Sequence, residues 1–211
     1  MSDKLLICTD LDRPLIPNDK LPESSQARVL FTQIVSHEKV TLAYVTGRDQ
    51  GLVKQAIADY KLPLPNFVVA DVGSSIYKVK AQQWLRVADW DAKISEDWQD
   101  QNYDDLIPIF ADLKQCYLQE KEKQGLHKLI YYVSLSTDID SLISEIKSRL
   151  ENKQILANLI WSIDEEKRRV LLYILPESAN KYQSIAYIME TNKFTLENTV
   201  FSGDSGNDLD V

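Results

Sequence analysis

The segment Lys4 to Cys8 is a short apolar run that stops at Thr9-Asp10-Leu11-Asp12, and Pro14 and Pro17 then exclude a helix. It reads as a buried strand followed by a loop. Beyond Ser24-Ser25, apolar residues recur at Ala27, Leu30, Phe31, Ile34 and Val35, the spacing of an amphipathic helix, with a serine as its expected cap. A second strand, Val40 to Val45, runs into Thr46-Gly47-Arg48-Asp49. Leu52, Val53, Ala56, Ile57 and Tyr60 then mark a helix that Pro63 and Pro65 end, and Phe67 to Ala70 form a third strand before Gly73. Alternation of this kind predicts an α/β fold: a parallel sheet with helices on both faces.

After Lys80 the alternation is lost, and Trp84, Trp90 and Trp98 arrive among many charges. A second, α+β module is expected over residues 81–175, inserted into a core made of 1–80 and 176–211. Its expected parts are a helix from Tyr103 to Lys123, a strand from Lys128 to Ser136, and a helix from Ile139 to Glu151. A hairpin of Asn158 to Ile163 and Arg169 to Leu175 follows, turning in Asp164-Glu165-Glu166-Lys167. Past Pro176 the first style returns, with a helix Lys181 to Glu190 and a strand Thr199 to Ser202 before Gly203-Asp204-Ser205-Gly206-Asn207-Asp208.

Composition narrows the function classes. The 211 residues carry 24 Lys+Arg against 32 Asp+Glu, a formal net charge of −8, with no dense basic stripe, which disfavours a nucleic-acid binder. No apolar run reaches the roughly 18 residues of a membrane-spanning helix, and the first acidic motif comes too early to leave room for a secretory leader. A cytoplasmic protein is expected. The two cysteines make no disulfide framework, so Cys8 and Cys116 are expected to be reduced thiols, Cys8 serving as core packing. His37 and His127 have no partners at metal-ligand spacing and are expected at the surface.

Open parallel sheets present their ligands at the carboxyl ends of the strands. Asp10 and Asp12, Thr46, and Asp204 with Asp208 all fall just after predicted strands. Carboxylates gathered at one sheet edge repel one another unless a cation sits among them, and hard oxygen donors of this kind suit Mg²⁺.

Taken in order, Asp10-Leu11-Asp12, Thr46-Gly47-Arg48, Lys181 and Gly203-Asp204-Ser205-Gly206-Asn207-Asp208 resemble the four motifs of the haloacid dehalogenase (HAD) superfamily of phosphotransferases. Val72-Gly73-Ser74-Ser75-Ile76-Tyr77, the Trp98-Gln99 pair and the Asn180-Lys181 turn narrow the resemblance to the sucrose-phosphate phosphatase group, over nearly the whole chain. It implies a HAD-like Rossmannoid core with an inserted C2-type α+β cap that selects the sugar. It also implies Mg²⁺ as cofactor, a sugar phosphate as substrate with sucrose 6-phosphate favoured, and a chain that continues past Val211. Two departures stand out: Arg13-Pro14 after the first motif, where relatives carry a small residue, and the end at Val211.

The chemistry expected of these residues is phosphoryl transfer. Asp10 attacks and forms an aspartyl phosphate, while Asp12 serves the leaving oxygen as acid and then water as base. The expected metal set is Asp10, Asp12 through its backbone carbonyl, Asp204 and, orienting bound water, Asp208. Thr46 and the Gly47 amide are expected to hold phosphate oxygens and Lys181 to offset their charge. Arg48 is expected to touch substrate or pair with a neighbouring acid, and Asn207 to lie against the same site. Disaccharide phosphates such as mannosyl-fructose phosphate fit nearly as well as sucrose 6-phosphate. The rival expectations are a phosphomutase and a non-catalytic sugar-phosphate-binding domain that partners a synthase.

Overall fold

A computed structural model describes residues 4–17, 24, 26–164 and 167–204. The chain begins with β1 (Leu5–Thr9), α1 (Ala27–Val35), β2 (Val40–Val45), α2 (Gln50–Tyr60) and β3 (Phe67–Ala70). A short 3₁₀ turn, Asp71–Gly73, leads into the hairpin β4 (Ser75–Lys80) and β5 (Gln83–Arg86), and then α3 (Ala88–Ser95). There follow α4 (Tyr103–Leu106), β6 (Cys116–Leu118), β7 (Leu129–Ser134), α5 (Ile139–Glu151), β8 (Ala157–Asp164) and β9 (Arg169–Pro176). The described chain closes with α6 (Lys181–Asn192) and β10 (Thr199–Ser202). It forms two compact units, one of Met1–Trp90 with Asn180–Val211 and one of Asp91–Ala179. Among the described residues no helix is long and apolar enough to cross a membrane.

The first unit is built on a six-stranded sheet in the order β10-β1-β2-β3-β4-β5. Its first four strands are parallel, with Thr9 opposite both Ser202 and Tyr44, and Val45 opposite Val69. The expected parallel sheet is therefore present, and its carboxyl edge carries Asp10, Thr46, Asp71 and Gly203 as the residues that follow β1, β2, β3 and β10. The sheet does not stop at Lys80. Residues 83–86 return antiparallel on β4, so the loss of strand–helix alternation there marks a hairpin. One core cluster, including Leu42, Tyr44, Val53, Ala56 and Val68, is closed by the Tyr44 phenol donating to the Pro63 carbonyl at 2.7 Å. α1 carries no side-chain cap hydrogen bond, against the expected serine cap, and none of its residues is fully buried.

The second unit is an antiparallel sheet, β6-β7-β9-β8. Leu142, Ile146 and Leu150 recur every four residues along α5, whose N-terminus is capped by Asp138, and pack with Leu129, Tyr131 and Val133 of β7. The helix expected from Tyr103 to Lys123 does not form. An Asn102/Asp105 capping box starts α4, but Pro108 supplies no amide for a second turn, and the chain tightens into a 3₁₀ turn over Ile107–Phe110. Its apolar residues Leu106, Phe110 and Leu113 still reach the core, and Cys116–Leu118 pairs on β7 instead. His127, expected at the surface, is only 5% exposed and lies edge-on to Trp98 with centroids 6.0 Å apart. The tip of the β8–β9 hairpin, Glu165-Glu166, lies outside the described residues.

Candidate active site

Asp10 is the first residue beyond β1, and its amide extends the ladder to β10 by donating to the Ser202 carbonyl at 2.9 Å. Its carboxylate is turned back onto the protein. Oδ1 accepts the Leu11 amide at 2.6 Å, and Oδ2 accepts the Lys181 ammonium at 2.5 Å. Both side chains are buried, Lys181 being 2% and Asp10 8% exposed. Lys181 is the first residue of α6, set there because the Asn180 side chain accepts the Gln183 amide at 2.8 Å and so starts the helix.

The loop after Asp10 closes on itself. Leu15 and Ile16 both donate to the Leu11 carbonyl, and Arg13 donates to Ile16 at 2.8 Å with a left-handed φ of 71°. Pro14 has no amide to give, and the turn uses none from it. Arg13 points its Nη1 to Asp204 Oδ2 at 3.1 Å, across the ends of β1 and β10.

Asp12 is held by Arg48, which donates from Nε at 2.9 Å and from Nη2 at 2.6 Å to its two carboxylate oxygens. Of the two roles open to Arg48 in the sequence, contact with substrate or pairing with an acid, its guanidinium occupies the second. These hydrogen bonds to Asp12 raise the Arg48 pKa above its ordinary value despite partial burial. The two preceding residues form a tight bend after β2. Thr46 is fully buried, its hydroxyl accepts the Arg48 amide at 3.2 Å, and Gly47 is exposed.

Asp10, Asp12, Thr46, Gly47, Arg48, Lys181 and Asp204 thus belong to one unit, at or next to one sheet edge. Asn207 and Asp208 lie outside the described residues. Among the described residues, no three His, Cys, Asp or Glu side chains gather at metal-ligand spacing. Asp10 and Asp204 nevertheless offer carboxylates, and Asp12 a backbone carbonyl, next to the ends of the neighbouring strands β1 and β10, all of them hard oxygen donors. Mg²⁺ characteristically binds through one or two carboxylates plus substrate phosphate, so the donors fit that ion. Each carboxylate carries a cationic side chain, Lys181 on Asp10 and Arg13 on Asp204, as charge at such an edge requires.

Three residues around the site were not singled out by the sequence. Asp71 follows β3 at the same edge and is 6% exposed. Trp90, assigned by pattern to the second module, is buried in the first unit and donates its indole N–H to the Gly73 carbonyl at 2.9 Å. Ser184 donates to the same carbonyl at 3.1 Å. The usable signal was Gly73 itself, a glycine that closes the turn after the end of β3 at Ala70. Trp98 sits in the core of the second unit, and Gln99 donates to the carbonyls of Lys153 and Gln154.

Residues 3–211 match the family described as sucrose-6F-phosphate phosphohydrolase. A Nitrosococcus oceani protein whose name goes no further than HAD-like hydrolase is 45% identical over 211 residues, covering all of this chain and 57% of its own length. Sucrose-phosphatase 2 of Nicotiana tabacum is 24% identical over 212 residues, 99% of this chain and 47% of its own. The chain therefore spans about half the length of the curated relatives it matches. Among solved structures, the Synechocystis sucrose-phosphatase in complex with sucrose and phosphate shares the fold. Its TM-score is 0.74 at 23% identity, over 99% of this chain and 78% of that one.

Proposed function

The chain belongs to the sucrose-6F-phosphate phosphohydrolase family of the HAD superfamily, and on that premise we propose that it hydrolyses a sugar phosphate, sucrose 6-phosphate being the favoured substrate. The observation that carries this reading is the buried Asp10 carboxylate at the end of β1, paired to Lys181 and followed two residues later by an acid that Arg48 holds. A binding domain needs neither a buried nucleophile nor a second acid beside it.

Asp10 attacks phosphorus as the bond from phosphorus to the sugar oxygen breaks, and Asp12 gives that oxygen its proton. Water then attacks the aspartyl phosphate, Asp12 takes the water proton back, and Asp10 and inorganic phosphate are released. Arg48 donates to both Asp12 oxygens, so it must release one of them while Asp12 carries the proton. The Thr46 hydroxyl and Gly47 amide hold phosphoryl oxygens, and Lys181 offsets their charge beside Asp10. When bound by Asp10, Asp204 and the Asp12 carbonyl, Mg²⁺ supplies Lewis-acid neutralisation of the phosphoryl oxygens. Asn207 and Asp208 are assigned to the same site from the sequence.

The Arg13–Asp204 ion pair favours one second reading, a sugar-phosphate-binding domain that partners a synthase, because it engages a carboxylate the cation would need. One experiment separates the two. The protein is incubated with sucrose 6-phosphate and a panel of other sugar phosphates, with and without Mg²⁺ and with Asp10→Asn as control. Phosphate release that needs both metal and Asp10 supports the phosphatase and ranks its sugars. Binding of the sugar phosphate without release, by folded protein, supports the binding domain.

A further inference from the structure

We infer that the turn Asp71-Val72-Gly73 is a positioning element of the phosphate site, setting the Thr46–Arg48 loop against the start of α6 so that Gly73 acts on the chemistry through Lys181. This rests on the phosphatase reading above and adds residues that the four motifs do not contain.

The turn has three successive positive φ angles, 54° at Asp71, 59° at Val72 and 104° at Gly73. Glycine adopts such angles freely, but a β-branched valine does so only under constraint, and such strain persists only where surrounding contacts impose it. All three residues are buried. The imposing contacts reach two separate pieces of the site. On one side, the Asp71 amide donates to the Arg48 carbonyl at 2.9 Å and the Val72 amide to the Thr46 carbonyl at 3.2 Å. Val72 also places a methyl 3.7 Å from where a side chain on Gly47 would begin. The loop proposed to hold phosphate is thereby pinned at both ends and beside its exposed glycine.

On the other side, Gly73 lies directly against the start of α6. A Cβ at Gly73 would fall 2.5 Å from both the carbonyl carbon and the oxygen of Asn180, a distance no real contact tolerates. The Gly73 carbonyl accepts the Trp90 indole N–H at 2.9 Å, and the single Ser184 hydroxyl proton is shared between that carbonyl, 3.1 Å away, and the Asn180 carbonyl, 2.8 Å away. Lys181, the next residue, carries the ammonium that meets Asp10. No side chain of the turn is needed at the reacting atoms for this role. Its backbone sets a distance, and the strained conformation is what lets one short turn touch both the loop and the helix.

The test is a double-mutant cycle in the full chain, comparing Gly73→Ala, Lys181→Met and the pair. It reads kcat and KM for sucrose 6-phosphate with Mg²⁺, and the Kd of inorganic phosphate by calorimetry, with circular dichroism and Tm as checks of folding. Gly73→Ala is expected to lower kcat by roughly ten- to a hundredfold and to weaken phosphate, as a displacement of about 1 Å at such a site does. In the Lys181→Met background the same change is expected to cost less than about twofold in phosphate Kd, because the residue it acts through is gone. An equal cost in both backgrounds overturns the inference. Should Gly73→Ala not fold, Trp90→Phe keeps the ring and removes only the N–H from the Gly73 carbonyl. Its smaller effect on phosphate Kd must likewise vanish with Lys181→Met, and an equal cost in both backgrounds again overturns the inference. Wild-type protein that neither releases nor binds phosphate overturns the phosphatase reading and this inference together, whereas wild-type protein that does both, with additive variants, overturns this inference alone.

Discussion

The Lys181 ammonium meets the Asp10 carboxylate at 2.5 Å across 171 residues of chain, with 2% and 8% of the two side chains exposed. A charge pair so far out of water is held by its geometry. Its Coulombic attraction offsets desolvation, and removing either member takes that attraction away from the buried charge that stays.

Lys181→Met is therefore expected to destabilise the first unit by about 3–5 kcal/mol, measured as a shift in urea midpoint. The double variant Asp10→Asn/Lys181→Met should recover part of that loss, since neither side chain is then buried as a charge. A single variant as stable as wild type would contradict the buried pair.

Asp12→Asn is expected to lower turnover of sucrose 6-phosphate by about a hundred- to ten-thousandfold, the range general acid–base catalysis supplies. With p-nitrophenyl phosphate, whose leaving group needs little protonation, the first step should survive and the second should not. Rapid mixing would then show a burst of about one nitrophenolate per protein followed by a stall, together with phosphorylated protein by mass spectrometry. A second phase as fast as that of the wild type would remove Asp12 from the hydrolytic step.

Arg48→Lys keeps the positive charge but cannot reproduce two parallel hydrogen bonds to Asp12. The expected result is a loss of kcat of about a hundredfold from a misplaced acid. Because the pair is partly exposed, stability should change by no more than about 1 kcal/mol. A rise in KM with unchanged kcat would instead make Arg48 a substrate contact.

Arg13→Ala frees Asp204 from its ion pair. Mg²⁺ binding, followed by calorimetry without substrate, is expected to tighten by up to about fivefold, the worth of an exposed pair. Unchanged or weaker binding would show that Arg13 does not compete with the cation.

Burial pushes the Cys8 thiol up to about 12, and burial followed by the nearby Glu145 carboxylate pushes Cys116 up to about 11, both from 9.0. Because the folded values lie above the unfolded one, the stability this contributes is complete below 9.0 and is lost as pH rises towards about 11 and 12. The urea midpoint should therefore fall over that window, and Cys116→Val should flatten part of the fall. At neutral pH neither thiol should react with a thiolate-specific reagent until the protein is unfolded.

The amino-acid sequence by itself determined the parallel sheet and which polar residues stand at its carboxyl edge. Short apolar runs broken by acids or glycines make buried strands with reactive ends, and a parallel sheet brings those ends together whatever the length of chain between them. Asp10, Thr46 and Asp204 were legible as residues beside strand ends for that reason, and Lys181 only through its resemblance to the third motif. Periodicity also found α5 to the residue, because its buried leucines and isoleucine repeat at a helical interval. The tertiary structure alone decided what depends on contact between distant residues. Pro108 and a free edge on β7 turned an expected long helix into short turns and a strand. Trp98 drew His127 into a core. Arg48 was committed to Asp12, and Gly73 was set against Asn180, by side chains and backbone far apart in the chain. Local pattern encodes which face of an element avoids water. It carries no record of which partner waits on the other side.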